Sequence, residues 1–402
     1  MSSQAAEDRR SARARVYALS IHADYRCRHS GACCTADWDI PVEVPLYRTL
    51  ADALATGRLA PAAEPAGGDP VLQNGPDLPE DVAAMVARTS GGDCVFYHRS
   101  SGLCVVHRDA GEDRMPSTCR HFPRLALGDD RGTFISLTHY CPTAAAMLFR
   151  DDVPLAIVEA PAAFPPAEYE GLMVPAGEWP PLLHPQMLMD ADGYTAWERH
   201  MVMRCADEAL SPEGVIATLE RDARLLRQYR PGDGPLAEAV RRLPAAAVSA
   251  APPATLAESL DRHREAMGAV PDELKPEPDE HGLADTYVER VLPAWHLGSR
   301  PLRRYLAAKA FASWTAYQGR GVLTIVRGLE AALALVRLEA ARQCRDRGRA
   351  LDADLLREAF RQADFILNHL AVGEDLAAAW SHVEHGHDRP VIARADLALD
   401  GA

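Results

Sequence analysis

Cys27-Arg28-His29-Ser30-Gly31-Ala32-Cys33-Cys34 is the stretch on which the fold of the N-terminal part of this chain depends. Seven of the nine cysteines lie before residue 142, and only Cys205 and Cys344 follow them. Thiolates are soft ligands that suit zinc and iron–sulfur clusters. Gly31 permits a tight turn of the backbone towards a bound centre. The stretch therefore predicts a small domain held together by cysteine ligands.

Three further segments complete the cysteine pattern. They are Cys94-Val95-Phe96-Tyr97 with Gly102-Leu103-Cys104-Val105-Val106-His107, then Pro116-Ser117-Thr118-Cys119-Arg120-His121-Phe122-Pro123-Arg124, and Tyr140-Cys141-Pro142. The predicted metal ligands are Cys27, Cys33, Cys34, Cys94, Cys104, Cys119 and Cys141. A zinc site or a cluster needs about four ligands, so seven exceed one site and fall one short of two.

The identity of the metal and the number of sites stay open at this point. The cysteines do not follow the C-x2-C spacing of ordinary zinc fingers. Histidines that lie close by in sequence are alternative ligands: His29, His98, His107, His121 and His139. Arg120 and Arg124 would offset the negative charge of a thiolate-bound centre, or would form surface salt bridges. A competing interpretation treats the seven cysteines as small buried hydrophobes, as we expect for Cys205 and Cys344.

Composition and charge exclude several classes of function. The chain has 402 residues, is 48% hydrophobic and carries a formal charge of −14, which argues against a general nucleic-acid binder. Only Lys275 and Lys309 are lysines among its 43 basic residues. No secretory signal and no apolar run long enough for a membrane-spanning helix is evident, so we expect a cytoplasmic protein without membrane insertion. Stable disulfides are rare there, which favours metal binding by the cysteines.

The predicted fold class is α+β: a small, irregular, cysteine-rich metal-binding domain with short strands, a Pro-rich connector and a mainly α-helical C-terminal domain. The predicted segments are a polar N-terminal arm (1–20), the cysteine-cluster domain (21–150), the connector (151–186), the helical domain (187–390) and a tail (391–402). His382, His385 and His387 are expected in a solvated C-terminal segment.

Local patterns predict individual elements. Candidate strands are 94–97, 104–107 and 133–137, with a hairpin turn at Arg99-Ser100-Ser101-Gly102. Ser211-Pro212-Glu213 is a helix start, and that helix is expected to run to Tyr229. Apolar stripes predict further helices over 302–314, 323–336 and 355–370.

The cysteine segments resemble two related families. One is the YkgJ-type zinc- or iron-chelating cysteine-cluster family, matched by Gly31 to Cys34, Cys94 to Phe96, Gly102 to Cys104, and Cys119 to Pro123. The chain is most similar to the flagellin lysine-N-methylase group, which Trp38-Asp39-Ile40 and Ser136-Leu137…Cys141-Pro142 resemble. Arg303-Arg304-Tyr305-Leu306 and Asn368-His369-Leu370 resemble its helical half loosely. The YkgJ-type pattern often has a further cysteine directly before the glycine, where this chain has Ser30.

This resemblance implies a methyltransferase that moves methyl groups from S-adenosylmethionine to lysines of flagellin or another protein substrate. The sequence lacks the G-x-G loop that commonly cradles nucleotides, and it also lacks a C-x3-C-x2-C triad. Catalytic residues are not assigned. Two alternatives remain: an electron-handling or non-catalytic metalloprotein, and a helical interaction protein whose cysteine domain is stabilised by metal.

Overall fold

The chain changes from short strands to long helices near residue 190. The computed structural model describes residues 15–36, 38–76, 78–175, 181–248, 255–275 and 280–382. Its strands are β1 (Val16–Leu19), β2 (Pro41–Glu43), β3 (Leu72–Gln73), β4 (Val82–Val86), β5 (Tyr97–His98), β6 (Leu103–Cys104), β7 (Arg124–Asp129), β8 (Gly132–Leu137), β9 (Ile157–Glu159), β10 (Gly171–Met173), β11 (Leu182–His184) and β12 (Met187–Leu188).

Four short helices interrupt the strands, and the rest follow them. The first four are α1 (Val44–Ala55), α2 (Val105–Ala110), α3 (Ser117–His121) and α4 (Pro142–Met147). The later ones are α5 (Ala191–Ala206), α6 (Pro212–Leu226), α7 (Leu236–Arg241), α8 (Leu256–Gly268), α9 (Leu283–Thr286), α10 (Leu292–Trp295), α11 (Ser299–Ala310), α12 (Thr315–Gln318), α13 (Val322–Arg347), α14 (Ala353–Phe365) and α15 (Gly373–His382). The α+β class with a mainly helical C-terminal half is confirmed.

A five-stranded sheet has the order β10-β7-β8-β1-β9. Strands β7 and β8 form an antiparallel hairpin, and β1 runs parallel to β8 with Tyr17 opposite Phe134. Residues 16–19 therefore belong to a strand of this sheet and not to the predicted polar arm, because Ala18 and Leu19 are fully buried. Strands β9 and β10 lie within the predicted connector, at the two edges of the sheet, where proline-rich segments are tolerated.

The cysteine segments surround a smaller core of their own. Its buried members are Ile40, Val42, Leu50, Leu59, Val86, Ala87, Cys94, Val95, Phe96, Val105 and Val106. Strands β5 and β6 pair around the predicted hairpin turn, which is confirmed. The strand prediction over 104–107 is wrong beyond Cys104, because helix α2 begins at Val105. The strand predicted over 94–97 is likewise wrong before Tyr97, since runs this short do not specify a strand against tertiary packing.

The helical half is organised around α13, which is buried along most of its length. Ser211 caps α6 as predicted, because its side chain accepts a hydrogen bond of 3.0 Å from the Gly214 amide. The helix predicted over 302–314 ends earlier, at Ala310, and Phe311 has extended backbone. Residues 383–402, which include His385, His387 and the predicted tail, lie outside the described residues.

The five-stranded sheet and the helices share the largest hydrophobic core. Leu19, Leu127 and Phe134 from the sheet belong to the same cluster as Trp197 and Phe360 from the helices. Strands β7 and β8, predicted as part of the cysteine domain, therefore pack on the helical half through Leu127 and Phe134, while other residues of β8 belong to a third cluster that contains Cys141. None of the helices in the described part of the chain is long and apolar enough to cross a bilayer.

Candidate functional site

The seven cysteines singled out from the sequence all line one cavity of about 320 Å³. They come from segments that are up to 114 residues apart in the chain, from Cys27 to Cys141. All nine cysteines are free thiols. Folding thus brings together residues that the sequence only places in the same third of the chain.

Gly31 sets the geometry of the first segment. It adopts the left-handed conformation with φ of 75° directly before the short 3-10 helix Ala32–Cys34, as a tight turn requires. A Cβ atom at this position would overlap the Tyr97 hydroxyl group. The turn leaves the sulfur atoms of Cys33 and Cys34 3.8 Å apart. Two thiolates on one tetrahedral zinc ion, at Zn–S distances of about 2.3 Å, would also be about 3.8 Å apart.

Backbone hydrogen bonds join the next cysteines to this turn. The Cys94 amide donates to the Cys34 carbonyl at 2.8 Å, which holds the two segments side by side. Cys104 lies opposite Tyr97 in the β5–β6 hairpin. Cys119 lies in α3, whose first amide, that of Ser117, donates to the Glu43 carboxylate at 2.7 Å. Three separate segments thus present their thiols to the same space.

Cys27 and Cys141 lie with Tyr25 in another part of the cavity wall. The Tyr25 hydroxyl group is 3.7 Å from the Cys141 sulfur atom. Cys141 is buried and Cys27 is exposed. The His29 amide donates to the Cys27 sulfur atom at 3.4 Å. The cavity therefore reaches from the protein interior to solvent.

Burial keeps most of these thiols protonated at neutral pH. Desolvation raises the pKa of Cys94 to about 11 and also raises the pKa values of Cys104 and Cys119. Cys33 is different, because the Cys34 thiol donates a hydrogen bond to it and lowers the pKa of Cys33. The same bond, together with burial, raises the pKa of Cys34. Binding of a metal by this set would therefore release protons.

Positive charge surrounds the thiols. Arg26, Arg120 and Arg124 line the cavity, and among the residues that the structure describes Glu112 is the one acid in its wall. The Nε atoms of Arg120 and Arg124 are buried and have no hydrogen-bond partner in the described residues. Neither guanidinium forms an ion pair with any acid that the structure describes. The surface salt bridges considered from the sequence are thus not observed, and the excess charge favours an anionic occupant.

The seven thiols line one cavity, but they are not arranged as the ligands of a single metal ion. Across the described ranges, no three His, Cys, Asp or Glu side chains form a group ready to hold a metal ion. The Cys33–Cys34 pair already has the spacing of two ligands on one ion. The remaining thiols line the same cavity, so they would have to rotate towards a shared centre to bind it.

Two of the five candidate histidines also line the cavity. His29 and His107 have ring centroids 5.7 Å apart. His98 instead bonds the Ser101 hydroxyl group at 2.8 Å. His121 accepts from the Glu170 amide at 3.0 Å. His29 and His107 are therefore the nearest substitutes for a cysteine ligand.

His139 lies in a buried polar network that the sequence analysis did not identify. Its backbone amide and its Nδ1 atom lie 2.5 Å and 3.1 Å from Asp364 Oδ2. Asp364 Oδ1 accepts from the Tyr305 hydroxyl group at 2.7 Å and lies 2.5 Å from Lys309 Nζ. His139 Nε2 is 3.3 Å from His22 Nε2. An acid within an apolar stripe, Ala363-Asp364-Phe365, was the available signal.

Burial would raise the pKa of Asp364, but the Lys309 ammonium and His139 outweigh burial and hold it well below its usual range. The carboxylate is therefore charged, and it ties the 138–141 turn to helices α11 and α14. This interaction fixes the backbone two residues before Cys141.

Trp38, from the segment that resembles the methylase group, packs in an aromatic cluster next to the cavity. Its ring centroid lies 4.8 Å from that of His369, 5.4 Å from Phe122 and 5.6 Å from Tyr140. Phe122 also lines the thiol cavity. The cluster joins the cysteine segments to the π-helical segment Ile366–Leu370 of the helical half.

Cys205 and Cys344 pack in the main hydrophobic core, which confirms the prediction for them. Burial raises the pKa of Cys205 to about 12 and that of Cys344 to about 11.

No family model, curated protein or solved structure matches this chain. The resemblance to the cysteine-cluster and methylase families thus stays a prediction that rests on the residues quoted for it.

Proposed function

We propose that the cavity lined by the seven cysteines holds a thiolate-bound metal centre, either an iron–sulfur cluster or zinc. The observation that supports this most directly is the convergence of all seven thiols on a single cavity. Cysteines that serve as small hydrophobes pack into a core, as Cys205 and Cys344 do. Cys94 and Cys141 are also buried in hydrophobic clusters, but all seven of the clustered cysteines line a cavity that is accessible at Cys27.

The charge around the cavity supports the same proposal. A centre bound by four thiolates is anionic, and anions are stabilised by nearby guanidinium groups. Arg120 and Arg124 line the cavity and form no ion pair with any acid in the described structure, so their charge is available to stabilise such a centre. Although burial raises the pKa of Cys94 and Cys119, the charge of Arg88 opposes that rise and favours their thiolate forms.

We further propose that the ligands divide into two groups. Cys33, Cys34, Cys94, Cys104 and Cys119 lie close enough for their charges to interact, as their mutual effects on pKa indicate. Cys27 interacts with Cys33 and Cys141, on the side of the cavity next to Tyr25. The first group supplies enough ligands for one four-coordinate centre.

Anaerobic purification with iron and zinc quantitation and visible absorption spectroscopy tests the metal proposal. We expect stoichiometric metal in the wild-type protein and its loss in Cys33→Ser and Cys119→Ser. Cys205→Ser is the matched control, because this cysteine lies outside the cavity, and it should keep the metal. Metal-free protein with all seven thiols open to titration would rule the proposal out.

Transfer of methyl groups from S-adenosylmethionine to lysines of flagellin or another protein is proposed from the family resemblance. Labelled S-adenosylmethionine and flagellin, incubated with the metal-loaded protein, test it directly. Incorporation that is lost in Cys33→Ser and kept in Cys205→Ser would support it. No incorporation and no donor binding, with the metal present, would favour a non-enzymatic, metal-stabilised interaction protein.

A further inference from the structure

Cys27 differs from the other cysteines in its exposure. The structure describes all nine cysteines, and Cys27 is the exposed one, whereas the other eight are buried or half-buried. It also lines the cavity that holds the seven clustered thiols. We propose that Cys27 captures the metal from a thiol-bound donor in solution and passes it to the inner thiols. This inference rests on the metal centre proposed above and assigns one of its cysteines a separate task.

The segment that carries Cys27 forms the mouth of the cavity. Residues 26–30 are all exposed, and four of the five line the cavity wall. A Cβ atom at Gly102 would lie 3.0 Å from the His29 carbonyl oxygen, so this loop rests directly on the turn of the β5–β6 hairpin. The His29 amide donates to the Cys27 sulfur atom at 3.4 Å, which restrains the sulfur within the loop. The exposed thiol is therefore held at the opening.

Cys33 is the inner thiol to which the metal passes. The Cys27 and Cys33 thiols lie close enough for their charges to interact. Cys33 interacts in the same way with three further thiols, those of Cys94, Cys104 and Cys119. Its sulfur atom also lies 3.8 Å from that of Cys34. Cys33 thus connects the mouth to the group of five cysteines that supplies the proposed centre.

The transfer is an exchange of ligands that needs no oxidant or reductant. The Cys27 thiol gives its proton to solvent and its sulfur bonds the metal, while one thiolate of the donor leaves and takes up a proton. The Cys33 thiol then loses its proton and bonds the metal, and Cys27 leaves and is protonated again. Each step replaces one metal–sulfur bond by another, so the oxidation state of the metal does not change.

The charge at the mouth favours an anionic donor. Arg26 and Arg124 line the cavity, and the charge of Arg124 acts on the Cys27 thiol. Guanidinium groups attract anions and repel hydrated metal cations. The donor that fits is a metal complex of small thiols that carry carboxylates. The zinc complex of glutathione is the probe for this class.

Loading kinetics test the proposal. The full-length protein is made metal-free under anaerobic conditions and mixed with zinc–glutathione, and protein-bound zinc is measured over time after gel filtration. Cys27→Ser should load about tenfold more slowly than the wild type, because a hydroxyl group is a poor ligand for a thiolate-bound metal. It should reach the same final stoichiometry. Ser30→Ala is the matched control, since it changes the same exposed loop without removing a thiol, and it should load at the wild-type rate.

Alkylation of the zinc-loaded protein is the second measurement. N-ethylmaleimide followed by mass spectrometry should modify Cys27 as fast as in the metal-free protein, while Cys33 and Cys34 are protected. Protection of Cys27, or a lower zinc stoichiometry in Cys27→Ser, would make it a permanent ligand and overturn the proposal.

The remaining outcomes separate this proposal from the metal centre itself. Equal loading rates for the wild type and Cys27→Ser would overturn the capture of metal by Cys27 and leave the centre in place. So would a protein that is purified with metal but takes up none from zinc–glutathione. A wild type that contains no metal when purified anaerobically, and binds none afterwards, would instead refute the centre.

Discussion

Gly31 shows how a single residue prepares the thiol cavity. Its positive φ and its close approach to the Tyr97 hydroxyl group both require the absence of a side chain. The 31–34 turn could be predicted from the sequence, because glycine adopts the left-handed backbone conformation of a tight turn more readily than other residues. The approach of Tyr97 could not, since it depends on pairing between β5 and β6.

Gly31→Ala should therefore destabilise the protein more than the same substitution at a left-handed glycine that has no close neighbours. We expect a loss of about 3 kcal/mol in unfolding free energy, from backbone strain plus overlap with Tyr97, and loss of bound metal. Gly57→Ala is the matched control, because Gly57 has φ of 69° but no atoms within 4 Å of the added Cβ. Gly57→Ala should lower the free energy of unfolding by about 1 kcal/mol, and this variant should keep its bound metal. Urea denaturation and metal analysis compare the two, and equal losses would contradict the account.

At the scale of single residues, His369 should make the stability of the protein depend on pH. Burial lowers the pKa of His369 to about 4, and the nearby Lys309 charge acts in the same direction while Asp364 opposes it. The unfolded chain binds the proton more readily, so stability should fall as pH drops from about 6.5 towards 4. The contribution of this side chain should be about 2 kcal/mol after allowance for its partial exposure.

His369→Gln should remove that contribution, so the variant should lose less stability than the wild type between pH 7 and pH 4. His281→Gln serves as the control, because His281 is exposed. Thermal denaturation across this pH range measures the difference. Parallel curves for the wild type and His369→Gln would show that the residue is not a source of acid sensitivity.

At the scale of elements, α14 combines a predicted apolar stripe with a buried acid that the stripe does not explain. Leu355, Leu356 and Phe360 are buried as their spacing predicted. Asp364 shares that buried side, where it binds Lys309, Tyr305 and the His139 amide. The periodicity of a helix indicates which side is buried, but partners on other elements decide whether a polar residue is tolerated there.

Asp364→Asn should be strongly destabilising. It leaves the Lys309 ammonium in a mostly buried position without its counter-charge, which costs about 3–5 kcal/mol for a buried pair. Asp354→Asn, on the same helix, is the matched control, because Asp354 pairs with Arg357 at the surface with its side chain 74% exposed. The control should change stability by no more than about 1 kcal/mol. Urea denaturation followed by tryptophan fluorescence distinguishes them, and similar midpoints would exclude a structural role for the network.

For the whole molecule, the hydrophobic cores should respond differently to the proposed metal. Residues around most of the cysteines form a small separate core, and a third cluster joins Tyr25 and Cys141 to β8, whereas Leu127 of β7 and Phe134 of β8 join the large core of the helical half. The Ser136 hydroxyl group donates to the Ala308 carbonyl at 3.1 Å, which ties β8 to α11. A small core bounded by thiols buries less apolar surface than a large one, so its stability depends more on a bound metal.

Anaerobic removal of metal should therefore loosen only part of the chain. We expect faster amide hydrogen exchange in the cysteine turn, the β5–β6 hairpin and helix α3. Strands β7 and β8 and helix α13 should keep their protection. Hydrogen–deuterium exchange with mass spectrometry measures this, with chelator added to Cys33→Ser as the control. Loss of protection across the whole of residues 25–150 would show that the region behaves as one metal-dependent unit.

The sequence by itself determined the α+β class, the amphipathic helices, the Ser211 cap and the set of candidate cysteine ligands. These depend on local periodicity and on the chemistry of side chains, which are readable from neighbouring residues. Tertiary structure alone decided that all seven thiols share one cavity, that β7 and β8 pack with the helices, and that Asp364 binds Lys309 and His139. Those features join residues up to hundreds of positions apart, and burial and pairing across elements are properties of the folded chain only.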